Sequence, residues 1–275
     1  MSDAIGELTK RSTAADVLYT VEGHVATITL NRPERMNTIS GPMLDLLTEL
    51  LLKADGDEAI RSVILTGSGR AFCAGLDLSD AVKDGAALET RSMSSSTLDL
   101  KSTPPTVLFN MDTPTICALN GSAAGYGMDT ALGCDIRIMA ANAKMAAAFC
   151  KRGILPESGG TWFLPRLVGW QRAAELIFTA RTLNAEQCLA LGLVAEVVPE
   201  DGVLARAKAL AGEIAANAPM AVQAAKRMMR MGLNETFNDH VHHVFLQLMP
   251  LFRSEDAREG MMAFLEKREP RFKGR

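Results

Sequence analysis

Short apolar runs that end at glycine, asparagine or alanine-rich turns recur through much of the chain, and they limit its fold more than any other feature. Clear examples are residues 61–66 (RSVILT), 114–119 (PTICAL) and 135–140 (DIRIMA). Such runs are typical of strands that are buried in a sheet. Because strand, loop and helical patterns alternate up to about residue 200, the sequence predicts an α/β fold.

The N-terminal part carries signals for a hairpin and a first helix. Two β-rich runs, 17–19 and 25–30, are separated by EGH at residues 22–24, which favours a tight turn. Pro42 then precedes apolar residues at helical spacing over 43–51. This pattern predicts a helix with proline in its first turn.

From Gly202 onward the pattern is entirely helical. Apolar residues recur at three- and four-residue spacing in three segments, 203–216, 219–231 and 234–252. Ser254 supplies an N-cap for a last helix. We therefore divide the chain into an α/β core, residues 1–200, and a helical C-terminal region, residues 201–275.

The segment Ser79–Asn110 differs from its surroundings in composition. It is rich in small and charged residues and contains three consecutive serines and the pair Pro104-Pro105. Long irregular loops in compact domains are commonly lids or binding loops. We expect this segment to cover an active site, and a plain surface insertion is the alternative.

Composition narrows the class of protein and its compartment. The net charge of −3 provides no excess of positive charge for a nucleic-acid backbone. The five cysteines include no C-x-x-C pair, so neither a disulfide framework nor a metal site is indicated. The start of the chain lacks an apolar signal region, and no apolar stretch is long enough to span a membrane. We expect a cytoplasmic protein that binds neither nucleic acid nor membrane.

Two glycine-containing loops follow buried strands, at residues 67–78 and 120–129. Small residues there let the main chain approach a ligand closely, and a helix that begins near Tyr126 presents free amide groups in the same space. Paired amides of this kind form an oxyanion hole. Neither loop fits the dinucleotide or P-loop glycine patterns, so no nucleotide cofactor is indicated.

An ordered set of segments extends this interpretation to nearly the whole chain. They are NRPERMNTIS (31–40), AFCAGLDL (71–78), ALNGSAAGYGMD (118–129), CDIRIMA (134–140), ILPESGGTWFLPRLVG (154–169), LGLVAEVVP (191–199) and FLEKREPRFKGR (264–275). In this set the chain resembles the crotonase family of enoyl-CoA hydratases and isomerases.

The resemblance implies a spiral of ββα units with two stacked sheets and a helical C-terminal region that forms trimers or dimers of trimers. It implies acyl-CoA thioester substrates, so that coenzyme A is part of the substrate and no separate cofactor is needed. The two oxyanion amides correspond to Leu76 and Tyr126. Tyrosine is bulkier than the glycine usual at the second position and is expected to narrow the acyl pocket.

The resemblance also implies which side chains handle protons. Hydratases of the family use two glutamates, and these match Asp129 and Phe149, so the second acid is absent here. Other branches have an acid at the position of Glu157, which makes Glu157 the first catalytic candidate and Asp129 the second. Alternatively, either acid could only stabilise the N-terminus of a helix through the helix dipole. Phe149 and Trp162 are expected to line the site and raise the pKa of Glu157.

For coenzyme A, the resemblance implies a surface along the first loop and a basic residue from a neighbouring subunit. The residues concerned are Arg35, Met36, Ala74, Asp77, Leu78 and Ser79, with Lys267 or Lys273 reaching a phosphate.

The expected reaction is double-bond migration between Δ3- and Δ2-enoyl-CoA with one carboxylate as the proton shuttle. Two alternatives stay open at this point. One is hydration of 2-enoyl-CoA to 3-hydroxyacyl-CoA, and the other is a non-catalytic acyl-CoA-binding paralogue.

Overall fold

The N-terminal hairpin begins the fold as the sequence predicts. The computed structural model describes residues 16–77 and 103–275, and in it β1 (Val17–Glu22) pairs antiparallel with β2 (Val25–Leu30). Gly23 adopts φ 59° in the turn, a conformation that glycine reaches at little cost. Helix α1 (Gly41–Asp55) follows, with Ser40 as its N-cap.

The remaining helices and strands follow in chain order. They are β3 (Ser62–Gly67), β4 (Ala71–Cys73), α2 (Pro104–Asn110), β5 (Thr115–Leu119), β6 (Ser122–Ala124), α3 (Tyr126–Gly133), β7 (Ile136–Ala140), β8 (Lys144–Ala146), α4 (Gly160–Val168), α5 (Trp170–Thr179), β9 (Thr182–Asn184), α6 (Ala185–Ala190), β10 (Glu196–Val198), α7 (Val203–Ala215), α8 (Pro219–Gly232), α9 (Phe237–Phe252) and α10 (Glu255–Glu266). The three apolar runs are strands β3, β5 and β7, so their prediction is confirmed.

From β3 to β8, consecutive strands alternate between two sheets. The larger sheet has the order β1-β2-β3-β5-β7-β10, and the smaller has the order β4-β6-β8-β9. Strands β2, β3, β5, β7 and β10 run parallel. Because β3, β5 and β7 are each followed by a strand of the smaller sheet, the chain advances as a spiral. This confirms the expected α/β spiral with two sheets.

Helix α7 covers one face of the larger sheet. It contacts β2, β3, β5 and β7. Its buried face is formed by Ala207, Ala211 and Ala215, which lie four residues apart and therefore share one side of the helix. Their small side chains allow the helix to approach closely, and the Ser62 hydroxyl donates to the Ala211 carbonyl at 3.4 Å.

Helices α8, α9 and α10 confirm the helical pattern predicted after Gly202. The third predicted segment starts later than expected, at Phe237, because the Thr236 side chain caps the helix by accepting from the Asp239 amide. Ser254 caps α10 as predicted and accepts from the Ala257 amide at 3.0 Å.

The prediction of an irregular segment over Ser79–Asn110 is wrong at its end, where Pro104–Asn110 form α2. Proline lacks an amide hydrogen, but the first amides of a helix have no partner within the helix, so proline is well tolerated there. The Pro104-Pro105 pair therefore begins a helix and does not mark a loop. Residues 79–102 lie outside the described residues.

Two asparagine side chains hold the loop between β3 and β4. Asn37 is fully buried and donates to the Ser68 and Ala71 carbonyls at 2.9 and 2.7 Å. Asn120 donates to the Gly69 carbonyl at 2.9 Å and to the Ala71 carbonyl at 3.3 Å. Both amides thus fix the path of the chain just before β4.

We predict that Asn37→Asp lowers the free energy of unfolding by about 2–4 kcal/mol, because two donors are replaced by an acceptor that faces carbonyl oxygens. Aspartate tolerates the left-handed φ of 54° at this position, so the backbone is not strained by the change. Urea unfolding measures the effect. The control is Asn217→Asp at an exposed site, and equal stability of the two variants would contradict this account of Asn37.

Candidate active site

The two glycine-containing loops meet where Gly75 passes the start of α3. A methyl group on Gly75 would lie 3.1 Å from the Ala124 carbonyl oxygen and 3.8 Å from the Tyr126 nitrogen. A methyl group on Gly127 would overlap the Cys73 carbonyl. Glycine at both positions therefore permits a close approach that larger residues would prevent.

The amide groups of Leu76 and Tyr126 are the free donors of this junction. The Ile39 amide donates to the Gly75 carbonyl and the Asp77 amide donates to the Ile39 carbonyl, so the isolated bridge between Ile39 and Leu76 leaves the Leu76 amide unused. The Tyr126 amide is the first of α3, where no carbonyl precedes it in the helix. Within residues 16–77 and 103–275, neither amide donates a hydrogen bond.

Both residues line one cavity with an acid in its wall. The loops contribute Ala74–Leu76 and Gly125–Tyr126, and the remaining wall includes Phe149, Arg152, Ile154 and Glu157. The structure thus brings three of the four expected catalytic residues, Leu76, Tyr126 and Glu157, to the same cavity.

The acid in this wall, Glu157, has a pKa above its ordinary value. It is accessible to solvent, but the surrounding protein removes part of its hydration and raises the pKa, which its own backbone amide partly offsets. Phe149 is 3 % exposed and supplies an apolar part of the wall. A carboxylate with a raised pKa accepts and returns protons more readily near neutral pH than one with an ordinary pKa.

Trp162 does not line this cavity, contrary to expectation. Its ring packs edge-on against Phe109 and Phe163, with centroid distances of 4.9 and 5.3 Å, and the Arg166 guanidinium lies over its face. These contacts turn the indole toward the junction of α2 and α4. The apolar residues that line the cavity with Glu157 include Phe149 and Ile154 instead.

Asp129 lies behind the cavity and is not part of its lining. The side chain is 1 % exposed, and its Oδ2 accepts hydrogen bonds from the Ser158 hydroxyl at 2.8 Å and the Gly160 amide at 3.1 Å. Its Oδ1 is buried and has no hydrogen-bond partner among the described residues. Burial, with a further contribution from Glu157, raises the pKa of Asp129 to about 7 despite these donors.

The structure adds two residues that the sequence analysis did not single out. Ser158 bonds Asp129 across 29 residues of sequence, and no local pattern indicates such a contact. Arg152 places a cation in the cavity wall and donates to the Ala148 carbonyl at 2.8 Å. Its spacing of five residues before Glu157 is the one signal that could have placed it near the site.

The residues expected to bind coenzyme A lie together beside the first loop. The Ala74 amide donates to the Met36 carbonyl at 3.0 Å. Asp77 forms ion pairs with Arg32 at 3.2 Å and Arg35 at 3.7 Å. These contacts connect the turn after β2 to the segment 74–77, which contains Leu76.

The other expected coenzyme A residues are not brought to the cavity by this chain. Leu78 and Ser79 lie outside the described residues. Lys267 ends α10 in a left-handed conformation, and the Lys273 ammonium lies 3.6 Å from Glu255. Neither lysine lines the cavity.

The described part of the chain shows neither a membrane-spanning helix nor a cluster of metal ligands. None of the helices there combines the length and apolar character needed to cross a membrane. No group of three histidine, cysteine or carboxylate side chains in that part could hold a metal ion.

Known proteins resemble this chain in sequence and in overall fold. The sequence profile of the family described as enoyl-CoA hydratase/isomerase matches residues 20–275. The chain belongs to the enoyl-CoA hydratase/isomerase family. The crotonase family expected from the sequence motifs is thereby confirmed, and the chain is an enzyme of the hydratase/isomerase type.

Relatives within the family carry different activities in their names. A probable enoyl-CoA hydratase of Rhodobacter capsulatus is 37% identical over 94% of this chain and 98% of its own length. The 1,2-epoxyphenylacetyl-CoA isomerase of Escherichia coli is 38% identical over the same shares. The crystal structure of an enoyl-CoA hydratase from Bacillus anthracis is 34% identical, with a TM-score of 0.87 over 94% of this chain and 100% of that one.

We predict that the stability of the protein falls as pH rises through about 7 and that Asp129→Asn removes part of this fall. The folded-state pKa of Asp129 is raised above its ordinary value, so the native state binds a proton more tightly than the unfolded chain. This stabilisation is fully present below the unfolded pKa and is lost as pH passes the folded pKa. From pH 5.5 to 8.5, wild type should lose about 1–3 kcal/mol more than Asp129→Asn.

Urea unfolding over this pH range gives the measurement, with exposed Asp201→Asn as the matched control. The same pH dependence in wild type and in Asp129→Asn would show that Asp129 is not the titrating group.

Proposed function

We propose that this enzyme moves the double bond of an enoyl-CoA thioester between the Δ3 and Δ2 positions. The observation that carries the proposal is the combination of two free main-chain amides, Leu76 and Tyr126, with one acid, Glu157, in the wall of a single cavity. The position that matches the second hydratase glutamate is occupied by Phe149, which is buried and has no proton to exchange.

In the proposed mechanism, the two amides donate to the thioester oxygen and stabilise the negative charge of a dienolate. Starting from the Δ3 isomer, the Glu157 carboxylate takes a proton from C2, and the electron pair moves toward the thioester oxygen. The protonated acid then returns a proton to C4, and the electrons reform the carbonyl with a C2–C3 double bond. Atoms and charges balance without an added cofactor, so we propose that none is required.

Hydration of 2-enoyl-CoA is the second candidate, and the names of relatives favour it. They include the probable hydratase of Rhodobacter capsulatus and a short-chain-enoyl-CoA hydratase of Clostridium acetobutylicum, which is 35% identical. Hydration requires groups that orient and deprotonate water as well as a group that protonates C2. Glu157 alone lines the described cavity as an acid, and this supports isomerisation over hydration.

We propose that coenzyme A lies along Arg35, Met36, Ala74 and Asp77 and continues past Leu78 and Ser79. The cluster of ion pairs around Asp77 supports this path, because it places arginines beside the loop that carries one oxyanion amide. Lys267 or Lys273 reaches a phosphate from a neighbouring copy of the chain.

That neighbour belongs to a homotrimer or a dimer of trimers, which we propose as the assembly. Helices α9 and α10 expose large apolar side chains on the single chain, as a subunit contact requires. They include Phe237, Phe245, Phe252, Phe264 and Leu265. We further propose a cytoplasmic location, which the unpaired cysteines of the described residues support.

We predict that the purified protein converts 3-enoyl-CoA to the conjugated 2-enoyl isomer and that Glu157→Gln lowers kcat by about 10²–10⁴-fold. The amide keeps the size of the side chain but cannot shuttle a proton, so KM should stay within about 3-fold. Absorbance of the conjugated thioester and product analysis by mass spectrometry provide the measurement. Glu49→Gln, at an exposed position of α1, is the matched control.

Other outcomes of this experiment would change either the assigned function or the assigned base. Formation of 3-hydroxyacyl-CoA from 2-enoyl-CoA, with no conversion of the 3-enoyl substrate, would establish hydration instead. Affinity for coenzyme A thioesters without any turnover would indicate the non-catalytic paralogue. Full activity of Glu157→Gln would assign the base to another residue.

A further inference from the structure

The Asp129 carboxyl connects helix α3 to the turn that carries Glu157. Its Oδ2 accepts from the Ser158 hydroxyl at 2.8 Å and the Gly160 amide at 3.1 Å. Ser158 is the residue next to Glu157, and Gly160 is the first residue of α4. One oxygen atom therefore fixes both the residue after Glu157 and the start of the following helix.

The turn is also pressed directly against this carboxyl. A methyl group on Gly160 would lie 2.9 Å from the Asp129 Cγ and would overlap Oδ1. Gly159 has φ 108°, a conformation that other residues rarely adopt, and it brings Gly160 into this contact. The two adjacent glycines thus allow the backbone to contact the Asp129 side chain directly.

The position of Asp129 separates it from the substrate. The side chain is 1 % exposed, whereas Glu157 is accessible and lines the cavity. Helix α3 is buried at every residue, so the carboxyl sits on a rigid element. A rigid buried acceptor is suited to holding a neighbouring loop, because its own rotamer is fixed by packing.

A buried acid beside the proposed base also affects the charge of the site. Two nearby ionised carboxylates repel each other, and burial adds to the cost of ionising Asp129. Together these effects raise the pKa of Asp129 to about 7, so it keeps its proton to a higher pH than an ordinary aspartate does. Glu157 is the accessible member of the pair and faces the cavity.

We propose that Asp129 is a positioning residue, which orients Glu157 through Ser158 and Gly160 and does not itself transfer a proton to the substrate. This inference rests on the proposed function, in which Glu157 is the base. It departs from the expectation that Asp129 is a second catalytic acid.

The test compares the isomerisation of 3-enoyl-CoA by the Asp129→Asn and Asp129→Ala variants. The asparagine oxygen can accept from Ser158 and Gly160 but the amide cannot act as an acid, so kcat should stay within about 5-fold of wild type. Alanine removes the acceptor, so kcat should fall by at least about 30-fold while KM changes less than about 3-fold. An Asp129→Asn variant as inactive as Asp129→Ala would overturn the proposal, because it would show that Asp129 supplies a proton.

Ser158→Ala provides an independent variant that keeps Asp129 in place. It removes one of the two hydrogen bonds, so kcat should fall by about 3–30-fold with little change in KM. Wild-type kcat in this variant would contradict the positioning role even if Asp129→Ala fails to fold. Thermal unfolding at pH 6 identifies any variant that is not folded.

Glu157→Gln, measured in parallel, separates the two proposals. If Glu157→Gln is inactive and Asp129→Asn is equally inactive, the proposed base stands and the positioning role fails. If Glu157→Gln keeps full activity, another residue is the base, and the role of Asp129 in orienting Glu157 fails with that assignment.

Discussion

The close contact between the loop at Gly75 and the start of α3 is the constraint on which the rest of the site depends. Leu76 follows β4 and Tyr126 follows β6, two strands that pair in parallel, and the contact at Gly75 brings their amides to one cavity. Side chains do not supply the donors, so the donor positions are fixed by the backbone and by the asparagines that hold it. Donors held in this way need no rearrangement when charge develops on a thioester oxygen.

The pKa of Glu157 depends on the residues that surround it. The sequence resemblance matches Phe149 to a hydratase glutamate, and the buried Phe149 lines the same cavity as Glu157. Partial burial raises the pKa of Glu157 above its ordinary value. Behind this wall, Asp129 joins the turn of Glu157 to the buried helix α3.

The sequence predicts the elements of this structure better than the contacts between them. Strands β3, β5 and β7 and the helix that begins at Tyr126 follow from local apolar patterns and turn residues. The bond from Ser158 to Asp129 depends on how the spiral closes, which no local pattern encodes. The Pro104-Pro105 pair fits both a loop and the first turn of a helix, so the local sequence does not distinguish the two. Trp162 faces α2 because Phe109 and Phe163 offer it an aromatic contact.

A crystal structure of the enzyme with an unreactive saturated acyl-CoA tests the central claim most directly. The account predicts a thioester oxygen about 3 Å from the amide nitrogens of both Leu76 and Tyr126. It also predicts a Glu157 carboxylate oxygen within about 3.5 Å of C2. A thioester oxygen bound by neither amide, or a Glu157 carboxylate directed into solvent away from the acyl chain, would contradict it.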